Sequence, residues 1–91
     1  MSRKLVLMTS EATEETLRKL KKRDEAEHES LAKRIEWMSE EPDEIGGDNL
    51  DSVVYYNGST SSLEMFDRHP GWRIYYARFP TVLAVYRVDP V

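Results

Sequence analysis

The apolar residues of this chain change their spacing part-way along, and that change limits what it can fold into. Between residues 11 and 40 they recur every three or four positions, which is the period of a helix. Between residues 63 and 88 they alternate with polar residues, which is the period of a strand. We therefore predict an α+β fold with an N-terminal strand, a helical hairpin and then an antiparallel sheet of three or four strands.

Two helices are predicted before residue 42. Thr9 and Ser10 offer oxygens that cap a first helix, and glutamates follow in its first turn. Asp24 begins a second helix, because Glu27 stands three residues later as in a capping box. Pro42 ends that helix. The second helix carries one apolar stripe: His28, Leu31, Ala32, Ile35 and Met38.

The strands are predicted from short runs between turn signals. A first strand at residues 4–8 precedes the helices, and residues 41–52 are predicted to form a loop. Asn57-Gly58 favours a tight turn. The later strands are expected at residues 53–56, 63–67, 72–78 and 82–88. We expect the helices to cover the face of Leu63, Met65, Trp72 and Ile74, and the opposite face, with Arg73 and Tyr75, to remain open to solvent or a partner.

Length and composition exclude several classes of protein. The 91 residues are enough for one domain, residues 1–91. The absence of cysteine excludes a disulfide scaffold, a thiolate zinc site and a cysteine nucleophile. The apolar run from Leu5 to Met8 is too short for a secretory signal or a membrane span, so we expect a cytoplasmic protein without membrane contact. We expect no cofactor and no metal.

The charge is acidic and unevenly distributed. The net charge of −4 disfavours a nucleic-acid partner, because such proteins gain affinity by neutralising phosphates. Residues 1–50 carry nine Lys or Arg against thirteen Asp or Glu, whereas residues 63–91 carry four Arg against three acids. The second half therefore holds the surface most suited to an anion.

One segment of the predicted sheet resembles a known family. The sequence Gly71-Trp72-Arg73-Ile74 follows an apolar strand beginning at Leu63 and precedes an aliphatic last strand. Together with the order of strand, two helices and antiparallel strands, it resembles the RelE/ParE superfamily of small bacterial toxins. The resemblance implies a toxin that is restrained by an antitoxin or another protein partner. It also implies a target in translation, as a ribosome-dependent mRNA endonuclease, or in gyrase.

The resemblance implies a role for one residue, and the chemistry of its neighbours suggests others. In the nuclease branch of the family, the arginine matching Arg73 contacts the scissile phosphate. Tyr75 and His69 are further candidates for catalysis, and Tyr86 is a possible acid or base of the same type. The candidate binding residues are Arg68, Arg73, Arg78 and Arg87. The alternatives are structural: an exposed arginine paired across strands with Glu64, a polar turn histidine, and tyrosines that only pack.

Alternatives to a nuclease also follow from the sequence. Such nucleases carry a further Tyr or His and basic residues after the last strand, whereas this sequence ends at residues 88–91 directly after it. Such nucleases also carry basic residues before the strand that holds the arginine, whereas residues 57–62 are uncharged here. The catalytic set is therefore incomplete. One alternative is a non-catalytic protein-binding module on the same scaffold, encoded by a phage or mobile element, with residues 53–56 pairing to a partner strand. Another is an unrelated α+β domain.

Overall fold

The computed structural model describes residues 3–58 and 60–91, which form a five-stranded sheet with two helices on one face. The predicted α+β class is confirmed. In chain order the elements are β1 (Val6–Thr9), α1 (Glu11–Arg23), α2 (Glu25–Glu40), a 3-10 turn (Pro42–Glu44), β2 (Asp48–Tyr56), β3 (Thr60–His69), β4 (Trp72–Arg78) and β5 (Val82–Pro90). The sheet order is β1-β5-β4-β3-β2, with β1 parallel to β5 and the other pairs antiparallel.

Both predicted helix starts are confirmed by side-chain caps. Ser10 Oγ accepts a hydrogen bond from Thr13 N at 3.1 Å, and Asp24 Oδ1 accepts one from Glu27 N at 3.1 Å. Each cap satisfies a backbone donor that has no partner within its helix. Asp24 alone separates the two helices, and its extended backbone turns the chain into the hairpin.

The main core lies between the helices and the sheet. Leu20 of α1 and Leu31, Ile35 and Met38 of α2 are buried against residues of β4 and β5. At the outer end of this core, Trp72 Nε1 donates to Glu27 Oε1 at 2.7 Å. The apolar stripe of α2 is therefore the surface that fixes the helices on the sheet. None of the helices among the described residues is long and apolar enough to cross a membrane.

Leu63 does not join this core, contrary to the prediction. Its side chain is 51% exposed beside Val53, its cross-strand neighbour, whereas Met65 packs against the core as expected. The helix backbones lie closest to β1 and β5, at the other side of the sheet from β2. They are too far across the sheet to cover Leu63.

The β2–β3 hairpin is longer than predicted. Residues 48–52, expected to be loop, begin β2. Asp48 and Asn49 pair with β3, and residues 50–52 form an irregularity before the pairing resumes at Val53. The turn at Asn57-Gly58 is confirmed, since both residues have positive φ angles of 53° and 70°.

The hairpin bends over the face opposite the helices. Val54 and Tyr56 pack there on Ala77, Phe79 and Val82, and the rings of Tyr56 and Phe79 lie 5.5 Å apart. This second, smaller core covers part of that face and leaves the remainder of β3, β4 and β5 open.

Candidate functional site

The open part of the sheet carries three arginines and two aromatic rings. We call this surface the arginine face: Phe66, Arg68, Arg73, Tyr75 and Arg87. Its orientation follows from strand alternation, because Trp72 and Ile74 are buried beneath the helices and the residues between and after them point to the opposite side. The prediction that Arg73 and Tyr75 lie away from the helices is confirmed.

A two-residue turn sets the register of the arginine face. His69 pairs with Trp72, so β3 and β4 are joined by Pro70 and Gly71 alone, and Gly71 has a φ of 86°, a conformation that favours glycine. This register places Arg68 opposite Arg73. The alternative in which Arg73 pairs across strands with Glu64 is wrong, because β3 continues to His69 and Glu64 lies opposite Ala77.

The three arginines differ in how their charges are balanced. Arg68 Nη2 lies 3.1 Å from Asp48 Oδ2, and Arg87 Nε donates to Asp89 Oδ2 at 2.7 Å. Arg73 makes no ion pair with any residue in the described ranges 3–58 and 60–91. Its neighbours across the ladder are Arg68 on β3 and Asp89 on β5, and the Asp89 carboxylate is paired with Arg87. Like charges at opposed positions destabilise a sheet. An anion bound here would relieve that repulsion.

The two rings support the guanidinium groups. The Cζ atoms of Arg68 and Arg73 lie 5.2 and 5.3 Å from the centre of the Phe66 ring, and Arg87 Cζ lies 4.7 Å from that of Tyr75. The two rings are 6.1 Å apart. Cation–π contacts of this kind orient an arginine without neutralising it. The sequence analysis did not assign Phe66 to a site. Its position on the arginine face follows from that of Arg68, because residues two apart on a strand point to the same face.

This arrangement is suited to binding a phosphate group. A guanidinium presents a planar fork of donors that matches two phosphate oxygens, and two such groups lie side by side here. The neighbouring rings are half-buried and offer faces on which a base can stack. Arginine beside aromatic rings also occurs at single-stranded nucleic-acid contacts.

Two predicted site residues lie elsewhere. His69 is on the helix side of the sheet, where its Nε2 lies 3.0 Å from Ser30 Oγ of α2. Arg78 Nη1 forms an ion pair with Asp43 Oδ1 of the 3-10 turn at 2.7 Å. The structure therefore brings together Arg68, Arg73, Tyr75 and Arg87 and separates them from His69 and Arg78.

A tyrosine and a glutamate border the arginine face on the side of the second core. The Tyr86 hydroxyl is buried without a hydrogen-bond partner in the described part of the chain. Burial, together with the neighbouring Glu64 carboxylate, raises the pKa of Tyr86. A hydrogen bond from Ser52 lowers the pKa of Glu64. At neutral pH the pair is therefore a protonated phenol beside an ionised carboxylate.

Tyr86 owes this position to an irregularity in β5. Tyr75 pairs with Arg87, whereas the next residue, Tyr76, pairs with Val85, so Tyr86 is an extra residue in the ladder. A bulge of this kind redirects a side chain. Within the described ranges, no cluster of three histidine or acidic residues is arranged to hold a metal ion.

Comparison with known proteins adds no assignment. No protein-family model, curated protein or solved structure matches this chain. The function therefore has to be argued from the arginine face itself.

Proposed function

We propose that this chain is a RelE/ParE-like toxin, or a protein derived from one, that acts on translation or on gyrase through its arginine face. The observation that carries the proposal is the state of Arg73. It is exposed, held over the Phe66 ring and next to a second arginine. It makes no ion pair among the described residues, since the carboxylate of its cross-strand neighbour Asp89 is paired with Arg87. The order of strand, two helices and antiparallel strands supports the same assignment.

The proposed contact is with a phosphate of the target nucleic acid. Arg73 supplies a guanidinium that has no ion pair among the described residues, and Arg68 supplies a second donor after exchanging its ion pair with Asp48. Phe66 and Tyr75 hold adjacent bases by stacking. The proposal places the protein in the cytoplasm, where ribosomes and gyrase are found, and gives it an antitoxin as its restraining partner.

Cleavage of a messenger would need a proton-transfer group near Arg73. His69 lies on the other side of the sheet and does not reach that position. Tyr75 is on the arginine face, and the Tyr86–Glu64 pair borders it. We therefore assign charge stabilisation to Arg73 and name Tyr75 as the candidate proton donor of a nuclease.

Inducible expression in a bacterial host tests the proposal. The wild type is expected to slow growth, and Arg73→Ala to restore it. Arg18→Ala, which removes an exposed arginine from α1, is the matched control and should stay toxic. Labelled amino-acid incorporation and plasmid supercoiling, measured after induction, separate translation from gyrase. Absence of any growth effect, or equal toxicity of the Arg73 variant at equal protein level, would count against the proposal.

A non-catalytic protein-binding module is the second candidate. The observation that favours it is an exposed apolar patch on the β2–β3 hairpin, formed by Val53, Tyr55 and Leu63. Exposed apolar groups clustered on an edge strand are typical of protein contacts. This candidate predicts that Val53→Lys with Leu63→Lys abolishes capture of protein partners while Arg73→Ala leaves it unchanged. Recovery of ribosomal RNA that depends on Arg73 would argue for the first candidate instead.

A further inference from the structure

The outer edge of β1 has backbone groups available for another strand. β1 is at one end of the sheet order and pairs only with β5 within the described chain. Val6 N and Ser10 N donate to carbonyl oxygens on the β5 side at 2.9 and 3.1 Å. Because these groups alternate in direction along a strand, the amides and carbonyls of Leu7 and Thr9 point away from β5.

This edge is short, at four residues, and the Leu5 amide before it donates to Ser39 O of α2 at 2.8 Å, but the outward groups of Leu7 and Thr9 lack other protection. β1 has no proline, no charged residue and no bulge. Val6 is 63% exposed and Met8 is 41% exposed. Edge strands of globular proteins are ordinarily protected by such features because an unprotected edge recruits another chain.

One groove lies beside β1 on each face of the sheet. The concave groove, on the helix-free face, has a volume of about 220 Å³ and is lined mainly by apolar groups, including Met8 of β1, Val54 of β2 and Ala84 of β5. The helix groove, on the other face, has a volume of about 410 Å³ and includes Leu7 and Ile35. Thr9 lines both grooves.

The two grooves differ in charge. Glu14 and Glu36 line the helix groove beside its apolar residues, Leu7, Leu17, Ala32 and Ile35. Glu14 accepts a hydrogen bond from the Thr9 hydroxyl, and Glu36 makes no ion pair within the described residues. Apolar walls beside carboxylates fit a Lys or Arg side chain, whose stem is aliphatic and whose end is cationic. The concave groove presents no carboxylate and fits an aliphatic side chain.

We propose that the outer edge of β1 docks an extended segment of a partner protein, which adds as a sixth strand and alternates aliphatic with Lys or Arg residues. Alternate side chains of an added strand point to opposite faces, so one set enters the concave groove and the other the helix groove. Backbone bonds to Leu7 and Thr9 supply affinity, and the two grooves supply specificity. This inference does not rest on the function proposed for the arginine face.

A designed peptide tests the docking site directly. The probe is a capped eight-residue peptide of alternating valine and lysine, titrated into the full chain and followed by NMR and by fluorescence anisotropy. It is expected to bind at least tenfold more tightly than alternating valine and glutamate, and to shift the amide signals of β1. The same peptide with all its amides methylated keeps its side chains and charge but cannot donate to β1. Equal binding of the methylated peptide would overturn the proposal.

Variants of the protein provide matched controls. Met8→Lys is expected to weaken binding of the valine–lysine peptide at least tenfold. Val91→Lys, which adds the same charge to an exposed position outside both grooves, should leave that binding unchanged. Glu36→Gln should weaken binding of the valine–lysine peptide and should not weaken binding of the valine–glutamate peptide. Arg73→Ala should leave binding unchanged, so failure here is separate from failure of the toxin proposal. If the protein forms concentration-dependent dimers and Met8→Lys abolishes them, the edge binds a second copy of this chain. That result would overturn the proposal of a partner protein.

Discussion

At the scale of single residues, Asp67 joins α2 to the sheet. Its side chain is buried on the helix side of β3, and its two carboxylate oxygens accept hydrogen bonds from Arg34 Nε and Nη2 at 2.7 and 3.1 Å. The Arg34 guanidinium in turn lies 4.2 Å from the ring centre of Trp37. A carboxylate in this position is stable only because the arginine is paired with it.

Removing the carboxylate is expected to destabilise the fold. Asp67→Ala leaves the partly buried Arg34 guanidinium without its partner, and we expect the free energy of unfolding to fall by about 3 kcal/mol. Urea denaturation measures the change. Asp51→Ala, at an exposed position of β2, is the control and should stay within about 0.5 kcal/mol of the wild type. Similar losses for the two variants would show that the ion pair with Arg34 contributes little.

Tyr76 is expected to make the free energy of unfolding depend on pH in the alkaline range. Burial, assisted by the charge of Asp67, raises the pKa of Tyr76 to about 12 from an ordinary value of 10.0. Above pH 10 the unfolded chain releases this proton and the folded chain keeps it. The contribution to stability is therefore complete below pH 10 and is lost as the pH rises towards 12.

The pH dependence is tested by comparing Tyr76→Phe with the wild type. Between pH 9 and pH 11, the free energy of unfolding of the wild type should fall by about 1 kcal/mol more than that of the variant. Urea denaturation at each pH supplies both curves, and groups common to the two proteins cancel. Parallel curves would contradict the assignment of the effect to Tyr76.

Individual residues of the site were predictable only where local rules fix them. The outward direction of Arg73 follows from alternation with the apolar Trp72 and Ile74. Its neighbours do not follow, because they depend on whether β3 ends at Asp67 or at His69. The charged residues that surround Arg73 are therefore determined by how the strands pair.

At the scale of elements, the caps of the two helices contribute unequally. Ser10 Oγ accepts from Thr13 N and also donates to the Tyr86 carbonyl oxygen at 2.7 Å, so it joins α1 to β5. Asp24 Oδ1 accepts only from the Glu27 amide at an exposed site. Ser10→Ala should cost about 2 kcal/mol and Asp24→Ala about 1 kcal/mol. Thermal denaturation with matched urea curves measures both losses, and an equal or larger effect at Asp24 would contradict the second role of Ser10.

The elements themselves were predictable to different degrees. Helix starts and tight turns depend on neighbours within four residues, so Ser10, Asp24 and Asn57-Gly58 were informative. The first half of β2 was missed because Asp, Asn and Ser have low strand propensity. In the structure, Asp48 and Asn49 pair with Phe66 and Met65, and that distant partner decides their conformation.

At the scale of the whole molecule, the position of the helices determines which surfaces are exposed. Their backbones lie closest to β1 and β5, so the far part of the β2–β3 hairpin extends past them and bends over the opposite face. The concave groove forms where this hairpin approaches β1, two strands at opposite ends of the sheet order. No local pattern in the sequence reports that curvature, so neither the groove nor the free edge of β1 was predicted.

The distribution of charge limits how a polyanion can approach. From residue 35 to residue 67 the chain has nine acidic residues and no Lys or Arg. The net charge of −4 repels nucleic acid at long range, so binding requires that the arginine face be turned towards it. A contact made by only three arginines should be weak and moderately sensitive to salt.

The salt dependence of binding to a single-stranded RNA oligonucleotide tests this arrangement. Three phosphate contacts predict a slope of about −2 for the logarithm of affinity against that of salt concentration, since each contact contributes about −0.7. Arg73→Gln should reduce the slope by about 0.7. Phe66→Leu should weaken binding by about 1 kcal/mol at every salt concentration through lost stacking, with little change in slope. Arg18→Gln on α1 removes the same charge away from this face and should change neither quantity. Equal effects of the two arginine variants would mean that RNA responds to net charge and that the arginine face is not where it binds.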